Sequence, residues 1–179
     1  MLKVLKFGGS SMADAAHYRQ VRSIVQADPE RRVVVVSAAG KRSSDDTKIT
    51  DLLYLCYAHL QYGVSYDGIF EMIVQRYTAI RDELGLKTDL AAEFAALRER
   101  MDKGMPQDEL VSRGEYFSAI LMAEYLGFEF IDAARWLYFH YDGTIDQEKS
   151  YAALRTLARG KKVVIPGFYG LIPDGKVRT

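Results

Sequence analysis

The sequence predicts an α/β fold, a mainly parallel sheet flanked by helices. Four consecutive valines in "RRVVVVSAAG" stop at small residues, as a strand buried on both faces of a parallel sheet does. "KKVVIPGFYG" repeats that pattern late in the chain. Between the opening strand and the valines lies an amphipathic stretch, so the first unit reads as β-α-β.

Taken in order, Leu2 to Phe7 is a short strand and Ser11 to Val25 a helix with Tyr18, Val21 and Val25 on one face. Ser11, with Asp14 three residues on, resembles a capping arrangement. After the valine strand, "KRSSDDTK" has no apolar residue and predicts a mobile loop. Three helices follow: Leu52 to Gln61, then one marked by Ile69, Ile73, Tyr77, Ile80 and Leu84, then one marked by Leu90, Phe94, Leu97 and Met101. These stripes are core. In "SRGEYFSAILMAEYLG", residues 116 to 126 are apolar nearly all round, which predicts a buried helix. "FEFIDA" alternates as a strand does, and "ARWLYFHY" reads as a further strand or an extended loop. Ser150 to Arg159 is a helix stopped by Gly160. Pro-Asp-Gly in "LIPDGKV" marks a turn between two short strands.

The length of 179 residues suits one domain, burying roughly 70% of the surface of its unfolded chain. Lys plus Arg and Asp plus Glu are 24 each, so no excess charge draws the chain to nucleic acid or an anionic membrane. The basic run Arg159 to Lys162 reads as a solvated helix end. The single cysteine, Cys56, lies among leucines at helical spacing and reads as a buried structural thiol. With no disulfide framework and no long apolar leader at the start, a cytoplasmic protein is expected.

Familiar motifs are rejected by their spacing. A P-loop ending at Gly40-Lys41 needs Gly where Val35 stands and Ser or Thr where Arg42 stands, and no G-x-G-x-x-G occurs. His17, His59 and His140 have no metal-ligand spacing, and no metal site is expected. What remains is a set of polar groups at strand ends, where open α/β sheets place their ligands. Lys6, Gly8, Gly9 and Ser10 follow the first strand, Ser37 ends the second, Thr50 opens the next helix, and Glu115 begins the buried one. Each has an ordinary explanation alone: Ser10 and Thr50 as helix caps, Glu115 as a charge at a helix start, Lys6 as a solvated side chain. Their joint occurrence points to an anion site.

"VLKFGGSS", "VVVVSAAGKRSSDDTKITDLL", "SRGEYFSAILMAEYLG", "FIDA" and "VVIPGFYG" occur in the order and spacing of the aspartate kinases, which the chain resembles along nearly its whole length. These are members of the amino acid kinase superfamily. Relatives acting on other substrates share the lysine-glycine opening without "KITD" and "SRGE". Ser10 stands where that family usually has Thr, and Ala39 where Pro is common.

The resemblance implies the N-terminal, amino-acid-binding lobe of an amino acid kinase domain over residues 1–179. The activity implied is transfer of the γ-phosphoryl of MgATP to the side-chain carboxylate of L-aspartate, giving 4-phospho-L-aspartate toward lysine, threonine and methionine. Lys6 would neutralise the phosphoryl as the catalytic charge, with Gly8, Gly9 and Ser10 approaching its oxygens. Ser37 and Thr50 would hold the amino acid, and Glu115 would pair with its ammonium. Mg2+ enters with ATP, and a homo-oligomer is implied. The sequence ends at Thr179, before the family's Arg-Gly-Gly-Ser-Asp segment, and the ATP-binding half and ACT domains are expected to be absent. Two alternatives stay open: a truncated, non-catalytic amino-acid-binding or subunit-interaction module, and a kinase for another carboxylate or carbamate.

Overall fold

The computed structural model describes residues 2–179. β1 (Lys3–Phe7), β2 (Arg31–Val36), β3 (Glu129–Phe130) and β4 (Val163–Pro166) form one sheet in the order β1-β2-β4-β3, with every pairing parallel. A short antiparallel hairpin, β5 (Gly170–Leu171) with β6 (Val177–Arg178), flanks the expected Pro-Asp-Gly turn. The helices are α1 (Ala15–Gln26), α2 (Ile49–Gln61), α3 (Asp67–Glu83), α4 (Leu90–Asp102), α5 (Gln107–Val111), α6 (Arg113–Leu126) and α7 (Gln147–Ala158). The α/β class with a parallel sheet is therefore as the sequence predicts.

α6 is the central helix. It packs on β2, β3 and β4 and also meets α1, α2, α3 and α5, which is why it is apolar nearly all round. Phe7, Val34, Val36 and Val164 face this main core with α6 and the helices around it. The other face of the sheet has a smaller core, in which Ile131, Val163 and Ile165 pack against Leu154 and Leu157 of α7. α7 covers the β3 and β4 side and reaches Val33 of β2, leaving a groove over the rest of the sheet. Val33 and Val35 are half-buried and Val4 is 61% exposed, so the valine strand is enclosed on one face rather than two.

Other local readings shift for identifiable reasons. α1 begins at Ala15, because Asp14 is the cap, accepting the His17 N–H at 3.0 Å; residues Gly9–Met12 form a separate 3-10 turn. "FEFIDA" contributes only Glu129–Phe130 to the sheet before Asp132 caps a 3-10 turn over Ala133–Arg135. "ARWLYFHY" is largely irregular, with isolated bridges from Tyr138 to Leu171 and from Phe139 to Ile145. The polar loop expected to be mobile is tied down from inside, because Asp46 pairs with the buried Arg76 of α3 at 2.6 Å. Cys56 is fully buried, and burial pushes its thiol up to about 12. Among the described residues, no helix is long and apolar enough to cross a membrane.

Candidate functional site

The carboxyl ends of β1 and β2 open into a cleft of about 450 Å³. Its walls are Gly9 and Ser10 from the turn after β1, residues 37–41 from the loop after β2, Lys48 and Thr50 at the start of α2, and Glu115 from α6. Five of the seven residues singled out in the sequence thus meet in one place: Gly9, Ser10, Ser37, Thr50 and Glu115. Lys6 and Gly8 lie beside the cleft rather than in its wall. Lys6 is exposed, one residue before the end of β1, and its charge still bears on Glu115.

Two close approaches build the cleft. Gly40 donates its N–H to the Gly9 carbonyl at 2.8 Å, drawing the loop after β2 against the turn after β1. A Cβ on Gly40 would lie 2.6 Å from the Gly9 carbonyl carbon and 2.8 Å from the Ser10 nitrogen, so only glycine permits the contact. Likewise a Cβ on Gly114 would lie 2.7 Å from the Ala38 Cβ. Glycine there lets the first turn of α6 settle on the loop and carries Glu115 to the Ala38 N–H. By contrast, a Cβ on Gly8 would meet nothing within 4 Å, so the space before it is open to a ligand.

Glu115 is 5% exposed. Its Oε1 accepts the Ala38 N–H at 3.0 Å, and its Oε2 has no partner. Burial pushes this carboxyl up to about 7; the Ala38 N–H, its own N–H and the Lys6 charge oppose that rise. A buried carboxyl with one unpaired oxygen at a cleft wall is left short of a hydrogen-bond donor. Behind it stands Tyr77 of α3, fully buried, whose hydroxyl donates to the Gly114 carbonyl at 2.7 Å and supports the same helix start.

The capping explanation of Ser10 and Thr50 does not hold. The N-cap of α2 is Lys48, and neither α2 nor the turn at Gly9–Met12 has a side-chain cap. Both hydroxyls are left to the cleft. Gly40, Lys41 and Lys48 also line the cleft, although no motif in the sequence marks them, since Gly40-Lys41 lacks the P-loop spacing. The sequence reading also passes over Arg76, which donates to the Gly40 carbonyl at 2.8 Å. The available signal was a lone arginine on the inner stripe of α3, between Ile73 and Ile80.

Among the described residues no group of three or more His, Cys, Asp or Glu side chains could hold a metal ion. His17 instead pairs with Asp14 at 2.7 Å, and His59 Nδ1 lies 2.7 Å from the Ser65 carbonyl.

Comparison with known proteins agrees with this architecture. The chain is 34% identical to aspartokinase 3 of Bacillus subtilis over 99% of its own length and 42% of that protein's. Its structure is similar to that of the aspartate kinase of Clostridium acetobutylicum, with a TM-score of 0.95 and 42% identity, over 98% of this chain and 41% of the other. It is also similar to Escherichia coli aspartokinase III in complex with aspartate and ADP, with a TM-score of 0.81 and 25% identity, over 100% of this chain and 43% of the other. The chain thus spans about two fifths of the length of these relatives. The model of the amino acid kinase family matches residues 1–179, so the chain belongs to that family.

Proposed function

We propose that this chain is the amino-acid-binding lobe of an aspartate kinase, which transfers the γ-phosphoryl of MgATP to the side-chain carboxylate of L-aspartate. The observation that carries the reading is Glu115 Oε2, buried and unpartnered in the wall of a cleft whose other side is the Gly9–Met12 turn. An ammonium receptor therefore faces a turn whose N–H groups and neighbouring lysine suit a phosphate. A ligand carrying both an ammonium and an anionic oxygen matches that pair. The solved relative in complex with aspartate and ADP supports the choice of ligand.

In this reading Glu115 holds the α-ammonium, while Ser37 and Thr50 hold a carboxylate in line with the phosphoryl. The β-carboxylate oxygen attacks the γ-phosphorus, the bond from that phosphorus to the bridging oxygen breaks, and ADP leaves with the electron pair. The nucleophile is already an anion, so no general base is needed and positioning plus charge stabilisation supply the catalysis. Lys6, with the backbone of Gly8, Gly9 and Ser10, faces the charge that develops on the phosphoryl oxygens. Mg2+ enters as the ATP complex; the cleft wall offers one carboxylate, already engaged by the Ala38 N–H, and no step is assigned to the ion.

The product, 4-phospho-L-aspartate, stands at the start of lysine, threonine and methionine synthesis, a cytoplasmic pathway, and the enzyme works as a homo-oligomer. The adenine-binding half and the ACT domains belong to the part of such an enzyme that these 179 residues do not include. A second reading is a non-catalytic amino-acid-binding or subunit-interaction module, which needs the unpartnered Glu115 oxygen at the cleft wall and no phosphoryl transfer.

Trapping acyl phosphate with hydroxylamine tests the proposal on a polypeptide that carries this segment and on the 179-residue chain alone. The longer polypeptide is expected to form aspartyl hydroxamate only with both MgATP and L-aspartate. Equal yield with L-glutamate or carbamate, or none with aspartate, overturns the assignment. Aspartate binding without turnover in both samples favours the module.

A further inference from the structure

We propose that Arg76 is a positioning residue for the cleft, fixing from α3 the loop that presents Lys48 and Thr50 to the ligand. The identity of that ligand rests on the aspartate kinase reading; the hold on the loop does not. Arg76 lies on the inner stripe of α3 and is 5% exposed. Its Nη1 donates to the Gly40 carbonyl at 2.8 Å, and its Nη2 spans both oxygens of Asp46 at 2.7 and 2.6 Å. Asp46 in turn accepts the Arg42 backbone N–H at 2.9 Å and the Arg42 guanidinium at 2.9 and 3.1 Å. One buried fork therefore holds both ends of the stretch 40–46. The hold continues across the cleft, because the Gly40 N–H is bonded to the Gly9 carbonyl at 2.8 Å.

The choice of residue is informative. An apolar side chain at position 76 would complete the stripe of Ile73, Tyr77 and Ile80 at no desolvation cost, and a buried ion pair is weak evidence for stability by itself. What the guanidinium adds is geometry. It binds the carbonyl through one nitrogen and the carboxylate through the other, in a planar geometry that the single nitrogen of an ammonium does not impose. The loop therefore has one arrangement, and the residues leading into α2 keep their places at the cleft wall.

Hydrogen exchange on this chain tests the hold without reference to any ligand. Arg76→Lys keeps the charge and the stem but loses the fork. The Gly40 and Arg42 amides are expected to exchange about tenfold faster, with amides of β2, β4 and α6 unchanged. Arg42→Ala removes only the outer arm of the network, from a side chain that is 52% exposed. It is expected to speed the same two amides about threefold; Asp46→Asn, which removes the carboxylate that Arg76 Nη2 spans and leaves α3 unaltered, is expected to match Arg76→Lys at both and decides the question should Arg76→Lys fail to fold. Uniform loss of protection through the sheet and α6, or unchanged loop amides, overturns the proposal. In a polypeptide that phosphorylates aspartate, Arg76→Lys is expected to raise the aspartate KM about tenfold while the ATP KM stays within about twofold. Equal changes in both, or none, overturn it as well. Absence of aspartate phosphorylation by the unaltered protein would refute the functional reading alone, with the exchange rates still deciding on Arg76.

Discussion

Glu115 gives one carboxylate oxygen to the Ala38 N–H at 3.0 Å and keeps the other, buried, without a partner. This relationship sets a pH dependence of stability. Burial raises the carboxyl from its ordinary 4.5 to about 7, so between those values the folded chain keeps a proton that the unfolded chain releases. Stability from this group is therefore fully present below about pH 4.5, is lost as pH rises from there through about 7, and is level above. The full loss is on the order of 3 kcal/mol. Glu115→Gln, which can still accept the Ala38 N–H, is expected to flatten that slope and to be the more stable protein at pH 8. Urea unfolding at pH 5 and pH 8 measures both; a wild-type slope equal to that of the variant would show that Glu115 titrates as an exposed acid.

The same substitution separates two roles. As the proposed ammonium partner, Glu115 would make a charged hydrogen bond worth about 1.5–3 kcal/mol, so in a polypeptide that phosphorylates aspartate Glu115→Gln is expected to raise the aspartate KM about ten- to a hundredfold and leave the ATP KM nearly unchanged. In the unaltered protein, aspartate binding is expected to tighten as pH rises through about 7, because the ammonium needs the ionised carboxylate. Steady-state kinetics with each substrate varied in turn reads this directly. Equal changes in both KM values would leave Glu115 only a charge at a helix start.

Gly40→Ala tests how the cleft is built. The added methyl would meet the Gly9 carbonyl oxygen at 2.7 Å and the Ser10 nitrogen at 2.8 Å, and these are backbone atoms that cannot turn aside. The two loops must part, at a cost of about 1–3 kcal/mol. Gly8→Ala, with nothing within 4 Å of the new methyl, is expected to leave stability within about 0.5 kcal/mol. In a polypeptide that phosphorylates aspartate, it should still lower kcat by filling the approach to the phosphate. Melting temperatures and kcat of the pair provide the check, and similar stability losses in both would mean that the Gly40 contact carries no special strain.

The contrast between these two glycines shows what could be read from the chain beforehand. Strands, helices and the buried α6 follow from local periodicity, which the sequence displays directly. Lys6, Ser10, Ser37, Thr50 and Glu115 were legible as polar groups at the ends of such elements. The approach of Gly9 to Gly40 was not, because it depends on how two loops far apart in sequence stack over adjacent strands. Arg76 was hidden for a related reason: a charge on an apolar stripe signals a buried partner without saying which, and Asp46 lies in a loop with no periodic pattern. The half-open face of the valine strand is not legible, because four valines look the same whether a helix seals them or, as α7 does, covers Val33 only in part and leaves a groove beside Val35.

Lys6→Ala is expected to remove most turnover in a polypeptide that phosphorylates aspartate. A unit charge about 4 Å from the phosphoryl, at an effective dielectric near 20, is worth about 4 kcal/mol, or roughly three decades in kcat. Lys6 also lowers the Glu115 pKa, so its loss should move the pH profile of aspartate binding upward while leaving affinity at pH 8 largely intact. A fall in kcat below about tenfold would take Lys6 out of the phosphoryl site.

The uncovered face of the sheet leads to the last prediction. A groove of about 610 Å³ runs between the sheet and α7, lined by Leu2, Val4, Val33, Val35, Leu154 and Ile165 among others. Leu2 is 57% exposed, Val4 61% and Tyr151 56%, and β1 is the outer strand of its sheet. An apolar groove beside a free strand edge favours association. The 179-residue chain is therefore expected to self-associate at concentrations of tens of micromolar, and Val4→Glu, a charge on the edge strand facing the groove, is expected to reduce that association without lowering the melting temperature by more than about 1–2 °C. Sedimentation velocity of both proteins reads the difference. Calorimetry on the same samples is expected to show no measurable MgATP affinity, because the cleft offers a phosphate turn and no surface for adenine or ribose. A monodisperse wild-type monomer would show that the groove is no association surface, and micromolar MgATP binding would require a nucleotide site elsewhere in these residues.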